Sequence, residues 1–379
     1  MISPFDDYCL HQTPDYLRVP GTTDRNFYDR YFFSGYRPAG DLVFGLGFGR
    51  YPNRFVQDAH FTVTMGGVQF ALHASDVLGR DPSRNVVGPL EVSVVEPMRV
   101  LRCRVDAPEK RIACDLVFRA ETGAIDEGRL RVGREGLTYI DQTRFMQYGN
   151  WEGWIEIDGR RETLGPQQAW GLRDKSWGVR LIGDQHATQR RGGQIFWMNV
   201  VMRIDGRFGV IRTLDHADGS SHEREGYTAP LYADPAEVPV GEAALRRAPH
   251  WRFELDFLPG TRRIRGGRYT VRWEDGSESL IEGRVVGQAG TLWYAGMGYN
   301  HERWHHGLDH GGVLVVEREE WRTDEVDMAR LDRQFLASVM EFSTGGRVIG
   351  FGHTEQLLMG EYRPFGWGEA DYTWPDGSA

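Results

Sequence analysis

Apolar and polar residues alternate along most of the chain, in short runs separated by turn residues. In Ala59-His-Phe-Thr-Val-Thr-Met, Phe61, Val63 and Met65 fall on one face and His60, Thr62 and Thr64 on the other. A period of two is the mark of a half-buried strand. Asp41 to Phe48, Val68 to Ala74, Leu90 to Val95, Met98 to Val105 and Arg111 to Ala120 extend the series. Gly66-Gly67, Asp158-Gly159, Asp205-Gly206 and Asp275-Gly276 are hairpin-turn dipeptides. Beyond Gly149 the style repeats, through Ile195–Ile204, Arg207–Leu214, Tyr269–Trp273, Ser279–Val286 and closing strands near 312–318, 335–342 and 348–356. Thr323–Leu331 also fits a short helix, and the Pro- and Ala-rich stretch Ala229–Pro249 reads as a long loop or lid. The expected architecture is all-β, two similar antiparallel barrel or sandwich modules, divided as 1–165 and 166–379.

Composition narrows the class. The 379 residues are 40% hydrophobic, enough for a large core, which excludes global disorder. No run reaches the roughly 18 apolar residues of a membrane span. The acidic start Met1–Asp7 lacks a secretory signal's basic head and apolar middle, so a cytoplasmic location is expected. A net charge of −9 argues against a nucleic-acid partner, even though 43 of the 45 basic residues are arginine. Cys9, Cys103 and Cys114 are too few for a disulfide scaffold, and the last two flank the turn at Pro108-Glu109 symmetrically. They are expected to face each other across a hairpin as buried thiols. Oligomeric state is not legible.

Two segments carry a family resemblance. One is Asp24-Arg-Asn-Phe-Tyr-Asp-Arg-Tyr with Tyr51-Pro-Asn-Arg; the other is Trp170-Gly-Leu-Arg-Asp-Lys-Ser-Trp-Gly-Val-Arg, within Gly165–Arg180. Together they resemble the hydroxyneurosporene synthase (carotenoid 1,2-hydratase) and AttH-like superfamily, in its uncharacterised bacterial branch. The resemblance implies two packed lipocalin-like β-barrel domains and chemistry ranging from hydration of isoprenoid double bonds to cyclisation. The hydratase motif Asp-His-Asn-Trp-Gly corresponds to Asp174-Lys175-Ser176-Trp177-Gly178, with the histidine replaced by Lys175. A tyrosine and an aspartate on a following strand correspond in position to Trp197 and Asn199. Asp174, Trp177 and Gly178 match by residue type, and of these only Asp174 and Trp177 carry over as site residues.

Protonating an alkene needs a carboxyl that keeps its proton, and aromatic faces to tolerate a cation. Asp174, with Trp170, Trp177 and Trp197 nearby, supplies those types; Arg173 and Arg180 argue instead for an ionised carboxylate or a structural ion pair. A second constellation is Tyr299-Asn-His301-Glu302-Arg-Trp304-His305-His306. Its H-E-x-x-H pattern is that of zinc proteases, where a helix brings the two imidazoles within about 6 Å. Glycines at 296, 298, 307, 311 and 312 argue against a helix, so no metal is expected. His301 or His305 is expected at a cavity mouth as a proton shuttle, or else on an exposed loop. Asp58, His60 and Glu355 are weaker candidates. The expected function is a cofactor-independent acid/base enzyme (hydratase, isomerase or cyclase) acting on a hydrophobic, isoprenoid-like substrate. Asp174, His301 and His305 would be catalytic, and Trp170, Trp177, Trp197, Asn199, Tyr299 and Trp304 would bind substrate. The alternative is a non-catalytic carrier of a small hydrophobic ligand.

Overall fold

Alternating apolar positions punctuated by glycine turns do produce strands throughout. The computed structural model describes residues 9–368 except 11–13, 18, 135–136, 181, 183–193, 288–289 and 329. The acidic run Met1–Asp7 lies outside the described residues. In chain order the strands are β1 (Phe27–Tyr36), β2 (Leu42–Tyr51), β3 (Val56–Met65), β4 (Val68–Val77), β5 (Asn85–Val87), β6 (Leu90–Glu96), β7 (Val100–Ala107) and β8 (Ile112–Ala120). There follow β9 (Ile125–Arg134), β10 (Leu137–Ile157), β11 (Arg160–Leu164), β12 (Trp170–Val179), β13 (Ile195–Ile204), β14 (Arg207–Asp215), β15 (Ser221–Pro230) and β16 (Arg246–Arg247). The last are β17 (His250–Phe257), β18 (Ile264–Arg272), β19 (Glu278–Val285), β20 (Thr291–Trp293), β21 (Val315–Arg322), β22 (Phe335–Thr344) and β23 (Arg347–Met359).

These form two curled antiparallel sheets, half-barrels packed against each other. The first runs β21-β4-β3-β2-β1-β12-β10-β8-β7-β6-β5, with β9 and β11 on β10. The second runs β16-β15-β14-β13-β23-β22-β19-β18-β17, with β20 on β22. Strand β12, placed by the sequence in the second module, is hydrogen-bonded between β1 and β10 of the first sheet. Strand β21 returns from the second half to pair with β4. Among the described residues there is no α-helix; described residues of 323–331 form turns, leading into a 3₁₀ turn at Leu331–Arg333.

Of the four turn dipeptides read from the sequence, Gly66-Gly67, Asp158-Gly159 and Asp205-Gly206 hold both residues at positive φ. That geometry matches the right-handed strand twist. The β7–β8 hairpin instead turns through a 3₁₀ segment, Pro108–Lys110, with Arg111 left-handed. This shifts the register, so Cys103 faces Leu116 and Cys114 faces Val105. The two buried cysteines are free and not directly opposed, correcting the symmetric placement.

The first sheet curls round Trp151, which touches Phe33, Phe44 and Phe118 at ring-centroid distances of 5.2–5.8 Å. Its indole N–H donates to the Ser34 carbonyl at 3.0 Å. The second has its own core, including Phe196, Trp251 and Phe342. A third apolar layer joins the sheets, where Phe32, Met146 and Leu172 meet Tyr294, Ala337 and Val339. The stretch 229–249 is largely loop, and its Leu231, Ala243 and Leu245 pack against this layer. It straps the first sheet through Arg99 to the Val238 carbonyl and Tyr232 N–H to the Glu121 carbonyl.

Strand β3 departs from the half-buried expectation, since both its faces are buried. Segment 293–308 of the second half lies over the polar face: Gln69 exchanges hydrogen bonds with the Trp293 backbone, and Asp58 accepts from Gly307 N–H at 2.7 Å.

Candidate functional site

Even-numbered residues of β12 face the seam. Asp174 and Ser176 stand there beside Arg30 and Phe32 of β1 and Arg144 of β10. Opposite them come Trp197 and Asn199 of β13, Phe335 of β22 and Glu355 of β23. Arg180, Arg212, Glu127 and Tyr299 complete the wall of a cavity of about 210 Å³. Its lining is part apolar and part strongly charged, not the greasy hollow that the sequence suggests.

The two carboxyls here have opposite settings. Asp174 is half-buried and lines the cavity, without a hydrogen bond or close ion pair to any described residue. Burial raises its pKa above the ordinary value, outweighing the pull of Arg144, Arg180 and Arg30. Glu355 is 5% exposed. Burial would raise it too, but His353, Tyr294 and Asn199 together hold it below its ordinary value. Tyr294 O–H donates to it at 2.6 Å and Asn199 N–H at 2.8 Å. Burial thus prevails at Asp174 and hydrogen bonding at Glu355, so the two carboxyls are pushed in opposite directions.

Odd-numbered residues of β12 point the other way. Arg173 donates to Gln147 and stacks on Phe145. Lys175 pairs with Asp29 over the Tyr31 ring. Trp177 is 38% exposed on this face, so it is not a wall of the cavity. Trp170, although on an even position, lies outside the lining, with its indole N–H on Gln167 and Arg203 over its ring. Of the residues singled out from sequence, Asp174, Trp197, Asn199 and Tyr299 come together; Trp170, Trp177, Trp304, His301 and His305 do not.

The histidines gather elsewhere, on the outer face of the first sheet. His301 to His305 is turn and loop, so the H-E-x-x-H pair lacks its helix. Neither residue lies at the cavity or on an open loop: His301 is buried and His305 half-buried, with its ring N–H on the His301 carbonyl. His301 instead meets Glu319 at 3.0 Å, with His73 Nε2 3.7 Å from the same carboxylate. His73 Nδ1 contacts His60 Nδ1 at 2.8 Å, and Trp304 stacks on His73. These three potential ligand atoms, on His73, His301 and Glu319, lie within 4.8 Å of one another. Yet His301 Nδ1 accepts the backbone N–H of both Arg303 and Trp304. Its proton is thus on Nε2, which makes it a donor to Glu319 and not a metal ligand. Burial lowers the pKa values of His60 and His73, which favours the neutral rings.

Sequence reasoning undervalued three residues. Arg30 lies inside the first resemblance segment and Arg180 ends the second. Pairing of β1 with β12 sets Arg30 opposite Ser176 and Phe32 opposite Asp174. His306 links them: its Nε2–H donates to the Met297 carbonyl at 2.8 Å, and its Nδ1 accepts from Arg180 at 2.9 Å. The shared motifs signalled both arginines, but only strand pairing aims them at one cavity.

The fold has a counterpart among solved structures. A Nitrosomonas europaea protein assigned to AttH superposes with a TM-score of 0.52 at 13% identity, over 89% of this chain and 98% of that one. At that identity the likeness shows the fold alone. Kievitone hydratase from Nectria haematococca gives 0.44 at 10% identity, over 90% and 93% of the two chains. CghA gives 0.46 at 16%, over 88% of each. No curated protein matches the sequence. One family model does match, over residues 2–368 and thus nearly end to end, and the chain belongs to that family of unknown function, DUF8625.

Proposed function

We propose that the inter-sheet cavity is the active site of an acid/base enzyme acting on a small, partly apolar molecule, by hydration, isomerisation or cyclisation. Asp174 is the group that exchanges a proton with the substrate; Trp197, Phe335 and Tyr299 wall the apolar part. The observation that carries this reading is Asp174, which lines a cavity with no hydrogen-bond partner for its carboxyl among the described residues and has a pKa raised by burial. A second carboxyl of opposite setting, Glu355, shares the cavity. A simple carrier of an apolar ligand has no use for a carboxyl without a hydrogen-bond partner in its cavity, because an unsatisfied polar group there costs stability without adding affinity.

The test begins by identifying, by mass spectrometry, a small molecule that co-purifies with the full chain. That molecule is then incubated with wild type and with Asp174→Asn, and conversion is followed by chromatography. Wild type should convert it, and the variant should lose about 100-fold or more in rate while keeping the wild-type circular dichroism spectrum. Unchanged turnover in a folded variant removes Asp174 from the mechanism, and absence of conversion by wild type supports the carrier.

A further inference from the structure

The charged groups of the cavity fall into two sets. One is paired within itself. Arg212 meets Glu127 at 2.7 Å, Glu223 at 3.0 Å and Glu225 at 2.5 Å, and Arg144 meets Glu127. The other set is not. Arg30 is only 1% exposed, donates one N–H to the Met297 carbonyl at 3.3 Å, and leaves Nε and Nη1 buried without partners. Arg180 donates to His306, and its Nε is likewise buried without a partner. Neither guanidinium has a carboxylate within 4.0 Å among the described residues; Asp58 and Asp174 act on them only at longer range. Asp58 is in any case engaged by Tyr51 O–H at 2.9 Å and Gly307 N–H at 2.7 Å. The ring of Tyr299 lies beneath both arginines, 5.3 and 5.8 Å from their guanidinium carbons.

Two unpaired cations beside one unpaired carboxyl fix the sign of charge that the reaction can develop. If Asp174 protonated an isolated alkene, the substrate would become a carbocation facing two guanidiniums, and like charges repel. If its carboxylate removed a proton from carbon next to a carbonyl, the C–H electron pair would form the carbon–carbon double bond of an enolate. The carbonyl π pair would move to oxygen, where fixed N–H donors stabilise it. In a β,γ-unsaturated carbonyl compound the anion is a dienolate. Return of the same proton from Asp174 to its γ-carbon, as the oxygen pair re-forms the carbonyl and the double bond shifts to the α,β position, completes an isomerisation with no atom gained or lost. We propose that the substrate is an enolisable carbonyl compound whose oxygen is held by Arg180 and Arg30 as it gains negative charge. The proposal rests on the acid/base reading of the cavity and names its substrate class. His306, through its tautomer, positions Arg180.

Two probes of similar size and opposite charge test it on the full-length protein: 4-nitrophenol, whose phenolate absorbs visible light, and N,N,N-trimethylanilinium. The cavity should bind the phenolate, lowering the apparent pKa of the bound phenol by about one unit or more, and should bind the cation at least tenfold more weakly. Arg180→Gln should abolish the shift and Arg180→Lys should retain part of it; Arg30→Gln is the second variant should Arg180→Gln not fold. Preference for the cation, or phenolate binding that is absent or indifferent to both arginine substitutions, overturns the proposal. A cation-preferring cavity in which Asp174→Asn still abolishes turnover would refute the carbonyl substrate and keep the acid/base enzyme.

Discussion

The hydroxyl of Tyr294 offers the sharpest thermodynamic test of the site. It donates to Glu355 at 2.6 Å, and the ring packs edge-on against Phe335 at 4.5 Å and Phe32 at 5.5 Å. Tyr294→Phe deletes the donor and keeps the ring. A hydrogen bond to a charged group contributes about 2 kcal/mol, one between neutral groups about 1 kcal/mol. The difference amounts to roughly 0.7 of a pK unit, by which the Glu355 pKa should rise in the variant. The sign follows from linkage. Glu355 is held below its ordinary value, so it stabilises the fold above the unfolded pKa of about 4.3, and that stability is lost as pH falls through the folded value. Urea unfolding should therefore show the variant less stable by about 2 kcal/mol at pH 7, with the gap narrowing to about 1 kcal/mol once Glu355 is protonated. A deficit that does not change with pH would mean that the hydroxyl does not serve a carboxylate, and would refute the assignment of Glu355 as the ionised partner.

Two further outcomes are expected. A Cβ at Gly47 would overlap the Arg30 guanidinium, so Gly47→Ala should cost about 1–3 kcal/mol in urea unfolding and weaken phenolate binding; a variant with wild-type affinity would show that Arg30 does not hold the probe. Because the backbone fixes the proton of His301 on Nε2, chelation or added zinc should move the thermal midpoint by less than about 1 °C, and stabilisation that grows with zinc concentration would refute that tautomer.

The candidate site was legible in part. The motif around Asp174 contributed one cavity residue by type, and Trp197 and Asn199 by position. Alternation along β12 separates Asp174 from Lys175 and Trp177 at sight, because neighbours in a strand face opposite ways. Which face looks onto the seam is not written in β12, whose two faces both carry aromatic and charged residues. The histidine-rich loop misled for a related reason. His301 and His305 look like a pair in sequence, but His301 finds its neighbours, His73 and Glu319, on β4 and β21.

The sequence by itself determined the strands, most of their turns and the all-β class, since period-two alternation and glycine or Asp-Gly turns are local properties of the backbone. It also placed Arg30 and Asp174 in the two segments that carry the family resemblance. Only the tertiary structure decided that β12 joins the first sheet, that β21 crosses back to β4, and that segment 293–308 buries the polar face of β3. Burial and charge balance are sums over neighbours distant in sequence. An aspartate among arginines is a mere ion pair on paper, and it becomes an unpaired carboxyl once the strands have set the distances between them.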